Sequence, residues 1–242
     1  MIRSPAYRAH EGFIAPARPF NHIWRLLVGM LIAGIVYVTM NQVYFSTLYS
    51  LFGRRAEGLY QQMLAGSTPL AEILFLLSFG CITLSTGLAV RMMHRRGVRT
   101  VFGPWPLLAA QFGRVFAMLI LLNLVITVLP PWGMMGELSA NLSLGRWLAV
   151  LPFSLIAVLV QVSAEEVFFR GYLQQQLAAR FRTPLIWMLV PSALFALGHY
   201  QPDVAGENAV MMAVGAVYFE LLMADLTARA GTLGPAIAAS HL

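Results

Sequence analysis

Two adjacent carboxylates and an arginine follow a long apolar run in the second half of the chain. Glu165 and Glu166 lie near the end of segment 151–170, and Arg170 follows Glu166 by four residues. That spacing, with the acid first, favours an ion pair on one face of a helix, while Glu165 projects about 100° away. A charge in the middle of a membrane helix costs roughly 2.5–3.5 kcal/mol, so such groups usually face a protein interior or a wet cavity. The pattern predicts one carboxylate held by Arg170 and one available as a general base; the alternative is that all three groups are solvated at the membrane interface.

Two histidines follow the glutamate pair at positions that a helical bundle could bring to it. The turn between two apolar segments is centred near Arg182; Glu165 precedes it by 17 residues and His199 follows it by 17. In an antiparallel hairpin both side chains therefore lie at the same level, roughly 20–25 Å from the turn. His241 lies later, among small residues that permit close helix packing. Taken alone, each histidine also fits a structural role in a helix interface.

The elements that must position these groups are membrane helices. The 242 residues are 59% hydrophobic and 11% charged, with a mean hydropathy of +0.72, whereas a soluble domain carries about 25% charged residues. We therefore expect an all-α polytopic transmembrane helix bundle of about seven spans. We interpret the formal net charge of +6 as a topology signal and expect no nucleic-acid partner. The single cysteine, Cys81, excludes an intramolecular disulfide framework.

Apolar segments of about 20 residues, enough to cross a bilayer, divide the chain. Residues 1–25 form a predicted cytoplasmic N-terminal arm, residues 26–130 the N-terminal transmembrane helices and residues 147–242 the core helices that carry the motifs. Arginines concentrate in the arm and in the loops on the same side of the bundle, so the positive-inside rule predicts a cytoplasmic N-terminus. A turn is predicted at 130–133, and the predicted spans are 26–48, 69–90, 107–129, 147–169, 185–200 and 208–226, with a seventh that begins at Thr232. Glu220 lies centrally in the sixth span and could pair with Arg170.

The order of these motifs resembles that of a known enzyme family. Glu-Glu-x-x-x-Arg at 165–170, Phe-x-x-x-His at 195–199 and a late membrane histidine at position 241 are similar to the motifs of the CPBP (Abi) family of intramembrane endopeptidases. That family includes the CAAX prenyl protease 2-like enzymes. The resemblance covers 165–241 and implies hydrolysis, inside the bilayer, of a peptide bond in a membrane-associated or lipidated, CAAX-like protein or in a leader peptide.

The resemblance also implies a role for each site residue. Glu165 would be the base that activates water, and His199 would hold that water. Glu166 and Arg170 would order the site electrostatically, and His241 would stabilise the oxyanion of the tetrahedral intermediate. The resemblance favours glutamate-activated water with no cofactor. Zinc is the less favoured alternative, because the sequence contains no His-Glu-x-x-His helix.

Two other function classes stay open at this point. The family continues its last motif with Asn or Asp four residues after the histidine, a position past Leu242, which leaves room for a non-catalytic immunity or scaffold protein. A proton-coupled transporter would also use buried glutamates and histidines, although matching halves with broken helices are not evident. The expected partners are membrane lipid and a membrane-associated protein or peptide substrate. The expected location is the inner membrane.

Overall fold

The chain folds as a bundle of helices. The computed structural model describes residues 5–129 and 142–241, and within those ranges every regular element is helical, so the predicted all-α architecture is confirmed. The predicted turn at 130–133 and the chain ends at 1–4 and 242 lie outside the described residues. The α-helices are α1 (Arg8–Ile14), α2 (Ile23–Phe52), α3 (Ala56–Ala65), α4 (Pro69–Ser78), α5 (Gly80–His94), α6 (Trp105–Val128), α7 (Leu144–Glu166), α8 (Gln175–Arg180), α9 (Pro184–Gly198), α10 (Pro202–Ala205), α11 (Ala209–Ala230) and α12 (Gly234–His241).

Five helical units of the described residues are long and apolar enough to cross a membrane, judged by length and composition. The predicted fifth span corresponds to α9, a shorter apolar helix of 15 residues. Proline bounds this helix, because Pro184 occupies its first turn and Pro202 follows its end. The predicted seventh span corresponds to α12, of which 8 residues are described. The five units are Ile23–Ala65, Pro69–His94, Val98–Val128, Leu144–Arg180 and Gly206–Ala230.

The segment that carries the glutamate pair runs through the centre of the bundle. Beyond Glu166, α7 passes into a π-helical segment, Val167–Gln174, and then into α8. π-Helical turns are rare in proteins, and those that do occur are often found at functional sites. After a short turn, α9 returns beside this segment, and the rings of Phe169 and Phe195 meet edge to face with centroids 5.2 Å apart. The hairpin thereby brings the end of α9 alongside the carboxylates.

The N-terminal arm is folded against the ends of the helices. Its described part comprises a 3₁₀ turn at Pro5–Tyr7, α1 and a second 3₁₀ stretch at Ala15–Phe20. The Tyr7 hydroxyl donates a hydrogen bond to Asp225 Oδ1 of α11 at 2.7 Å. Gly231, with φ +71°, ends α11 where a Cβ would overlap the backbone of the arm. The arm is thus packed on the same helices that build the site.

His10 makes the docking of the arm sensitive to pH. Its ring is buried against Trp187, with centroids 4.8 Å apart, and neither ring nitrogen has a hydrogen-bond partner among the described residues. Burial lowers the pKa of His10 from 6.5 to about 4. The folded chain therefore favours the neutral ring, and stability that is fully present above pH 6.5 is lost as the pH falls toward 4.

We expect the unfolding temperature of the purified chain in detergent to fall as the pH is lowered through this window. The His10 contribution changes by about 1.4 kcal/mol per pH unit between the two pKa values. His10→Phe keeps an aromatic ring and removes the titration, so its unfolding temperature should depend less on pH. An identical pH profile for H10F and the wild type would show that His10 is not the group responsible.

Candidate active site

A cluster of charged side chains is sealed inside the bundle. Glu166, Arg170 and Glu220 are each 2% exposed or less. Arg170 Nη1 lies 3.4 Å from Glu166 Oε1, and its other terminal nitrogen forms an ion pair with Glu220. The pairing of Glu220 with Arg170, which the sequence left as one possibility, is found. Removing such charges from water is costly unless they are paired, so the cluster ties α7, the π-helical segment and α11 together.

A serine brings the last described helix to the same cluster. The Ser240 hydroxyl in α12 donates a hydrogen bond to Glu166 Oε1 at 3.1 Å. Glu166 Oε1 therefore interacts with both the Arg170 guanidinium and the Ser240 hydroxyl. Glu166 Oε2 has no hydrogen-bond partner among the described residues. Glu166 is held from two sides, as expected of a group that orders its neighbours.

Glu165 points to a different environment from its neighbour. Its side chain is half-buried and lines a cavity of about 270 Å³ between α2, α5 and the π-helical segment. Apolar side chains such as Tyr37 and Phe168 make up most of the lining. The carboxylate lies near the side chain of Gln161, one helical turn earlier, and within electrostatic range of His199. Of the two adjacent carboxylates, Glu165 is thus the one with access to a cavity.

His199 lies at the end of α9, on the side of the hairpin that faces the glutamates. Its ring stacks on Phe195 with centroids 4.1 Å apart, and Nδ1 lies 3.0 Å from the Phe195 carbonyl oxygen. Because a carbonyl can only accept, Nδ1 carries the proton in this contact and Nε2 of a neutral ring is left as the acceptor. The ring of His199 is exposed, so this nitrogen is accessible to solvent.

The side chain of His241 contacts a different helix from those that the other predicted site residues contact. Its half-buried ring packs on Phe116 of α6, with centroids 5.6 Å apart. Nδ1 of His241 is a buried atom with no hydrogen-bond partner among the described residues. The neighbouring Ser240, rather than His241, makes the contact with the charge cluster. The structure brings Glu165, Glu166, Arg170 and His199 together, and His241 borders this group through α12.

The described residues offer no complete ligand set for a catalytic zinc ion. A catalytic zinc ion takes three protein ligands and one water. Within residues 5–129 and 142–241, no group of three or more His, Cys, Asp or Glu side chains is placed to hold a metal ion. Glu165 and His199 supply one carboxylate and one imidazole, one ligand fewer than such a centre takes from the protein.

A hydrogen-bonded pair behind the cluster fixes the π-helical segment. The Tyr172 hydroxyl lies 3.0 Å from His94 Nε2, and His94 Nδ1 lies 3.0 Å from the Phe20 carbonyl oxygen of the arm. Tyr172 and His94 are both fully buried. The hydroxyl also lies against Gly29 of α2, where a Cβ would overlap it. Tyr172 follows Arg170 by two residues, so this contact sets the position of the arginine.

We expect Gly29→Ala to destabilise the chain by about 1–3 kcal/mol, because the added methyl group would overlap the Tyr172 hydroxyl. Tyr172→Phe removes the clashing atom, so the double variant G29A/Y172F should recover part of the loss. Unfolding in detergent measures both effects. Gly34→Ala in the same helix is the matched control, since a Cβ there meets nothing within 4 Å; equal losses for G29A and G34A would contradict the packing described here.

Sequence reasoning left out several features that the structure adds to the site. Gln161 precedes Glu165 by one helical turn and contacts it, a spacing that is visible in the sequence. Ser240 gave no signal beyond being a small residue beside His241. The π-helical segment and the Tyr172–His94 pair depend on contacts between distant parts of the chain, and no local pattern indicates them.

Fold and site together define a multi-pass helical membrane protein with a buried acid–arginine cluster. Residues 147–241 match the family model described as type II CAAX prenyl endopeptidase Rce1-like, which confirms the resemblance expected from the motifs. The chain is also 27% identical over 235 residues to the uncharacterized protein YyaK of Bacillus subtilis (strain 168), covering 92% of this chain and 76% of that protein. No solved structure matches the chain.

Proposed function

We propose that this chain is an intramembrane endopeptidase that hydrolyses a peptide bond by glutamate-activated water. The observation that carries the proposal is the placement of Glu165. Its carboxylate lines a cavity and interacts with His199, while the adjacent Glu166 is sealed and paired with Arg170. The match of residues 147–241 to the CAAX endopeptidase family model supports the same reaction class.

In the proposed reaction Glu165 takes a proton from a water molecule held between its carboxylate and His199. The water oxygen attacks the peptide carbonyl carbon, and the electron pair of the carbonyl bond moves to its oxygen. His241 is the proposed donor to this oxyanion, through the nitrogen that has no other partner among the described residues. The intermediate collapses as the C–N bond breaks, and Glu165 returns the proton to the leaving amine. Throughout these steps the proposed role of Glu166, Arg170 and Glu220 is to keep the electrostatic field around the reacting groups unchanged.

The proposed substrate is a membrane-associated protein or peptide, with a lipidated, CAAX-like protein as the first choice. A groove of about 970 Å³ between α2, α5 and α7 is lined largely by apolar side chains, among them Leu48, Leu84 and Leu159. Its lining ends at Ser163, two residues before Glu165. Such a groove suits the hydrocarbon chain of a lipidated substrate. The proposed location is the inner membrane with the arm in the cytoplasm, as the arginine distribution indicates.

The test is cleavage by the full chain reconstituted in liposomes. A lipidated peptide with a CAAX-like end and an unlipidated leader peptide are supplied in water enriched in oxygen-18. Hydrolysis places one solvent oxygen in the new carboxylate, which mass spectrometry detects. Cleavage with this label supports the proposal. Absence of cleavage of both peptides by chain that is folded and membrane-inserted would contradict it and favour the scaffold alternative.

A further inference from the structure

A pocket between the arm and the end of α8 has the character of an anion site. It encloses about 300 Å³ and is lined by three arginines, Arg18, Arg180 and Arg182, against one acid, Glu11. Arg18 and Glu11 form an ion pair across its rim. Arg180 and Arg182 are exposed at its mouth. The side chains that surround the pocket are therefore net positive.

The walls of this pocket are fixed to each other. The Asn21 side chain donates a hydrogen bond to the Ala179 carbonyl oxygen at 2.8 Å, and the Gln175 side chain donates to the Phe13 carbonyl oxygen. Ile14 and Ala178, which also line the pocket, are both buried. Because these contacts join the arm to α8, the backbone segments that carry Arg18 and Arg180 are held next to each other.

The pocket lies at the end of a helical unit that is long and apolar enough to cross a membrane. It is formed where α8, the end of the span Leu144–Arg180, meets the arm that leads into α2. Trp24 in the first turn of α2 is 52% exposed, as is typical of the aromatic residues that mark a membrane interface. The negative surface of a membrane attracts clustered basic residues at this level. The planar guanidinium group matches the oxygens of a phosphate with paired hydrogen bonds.

We propose that this pocket binds the phosphate group of an anionic phospholipid headgroup, with Arg180 and Arg182 as its main ligands and Arg18 at the rim. The enclosed volume equals that of about ten water molecules, so it admits a phosphate with a small polar headgroup. The lipid would join the arm to the hairpin that carries the site residues. This inference does not depend on the proposed peptidase reaction.

The experiment is native mass spectrometry of the full chain in detergent, titrated with phosphatidylglycerol and, separately, with phosphatidylcholine of the same acyl chains. The wild type should retain phosphatidylglycerol in preference to phosphatidylcholine. Arg180→Gln together with Arg182→Gln should weaken that preference by about thirtyfold, which corresponds to roughly 1 kcal/mol for each of the two basic residues near an anionic headgroup. If the double variant does not fold, the single variant R182Q replaces it in the experiment, with a smaller expected loss of the preference for phosphatidylglycerol.

The matched control is Arg54→Gln together with Arg55→Gln, which removes an exposed arginine pair on the opposite side of the bundle. This control should keep the wild-type preference. An equal loss in both double variants would show general charge attraction and overturn the pocket assignment, as would no loss in R180Q/R182Q. Glycerophosphoglycerol, the headgroup without acyl chains, distinguishes the source of the phosphate. Displacement of the lipid by an equimolar amount of this soluble compound would overturn the assignment to a membrane lipid.

Discussion

We expect Glu165→Gln to lower the rate of the proposed peptide hydrolysis by at least about a hundredfold, the range expected for loss of a general base. The amide keeps the size of the side chain but cannot accept the proton of the attacking water. Folding should be unaffected, because Glu165 is half-buried beside a cavity and forms no part of the sealed ion pairs. Single-turnover cleavage in liposomes measures the rate, and unfolding in detergent measures the stability.

Glu207→Gln is the control for this variant, because it removes an exposed carboxylate from the 3₁₀ turn Gly206–Asn208, nine residues past the end of α9. E207Q should cleave at the wild-type rate. If E165Q cleaves a substrate as fast as the wild type does, Glu165 is not the base. If both variants lose activity equally, the loss comes from net charge and not from the position of the carboxylate.

The juxtaposition of acid and imidazole could be predicted because it depends on short-range information. Glu165 and His199 belong to consecutive helices, and counting residues from the turn near Arg182 is enough to place them at one level. In the structure α9 lies beside the π-helical segment, with the rings of Phe169 and Phe195 in contact, so the two helices pair as the residue count predicts. The apolar runs likewise predicted the helices, since each run must satisfy its backbone groups internally in lipid.

Other features could not be predicted because they depend on contacts between distant parts of the chain. The arm has the arginines and prolines of a solvated segment, yet His10 and Phe13 are buried in it. Gly29 looks like any glycine of an apolar helix, and its need for a small side chain comes from Tyr172, far along the sequence. The packing of the His241 ring on Phe116 joins two helices far apart in the sequence, and residue spacing does not indicate it. Spacing fixes neighbours along a helix, and only packing decides which faces meet.

Replacing Arg170 by methionine should cost about 3–5 kcal/mol and greatly reduce the amount of chain in the membrane, because it leaves two carboxylates buried without a cation. Glu166 and Glu220 share this single guanidinium, and all three side chains are 2% exposed or less. Arg229→Met is the matched control: it breaks an ion pair with Asp225, also four residues apart, that is exposed to solvent. Exposed pairs contribute little, so R229M should accumulate normally.

A triple variant, E166Q/R170M/E220Q, separates the two effects of the cluster. Removing all three charges eliminates the unpaired carboxylates, so the triple variant should regain most of the stability that R170M loses. Its activity should stay low, because the field around Glu165 then lacks both the arginine and its partners. A triple variant no more stable than R170M would show that shape, and not charge, is what Arg170 contributes. A stable triple variant with full activity would show that the cluster is dispensable for catalysis, leaving Glu165 and His199 as the reacting pair without electrostatic support.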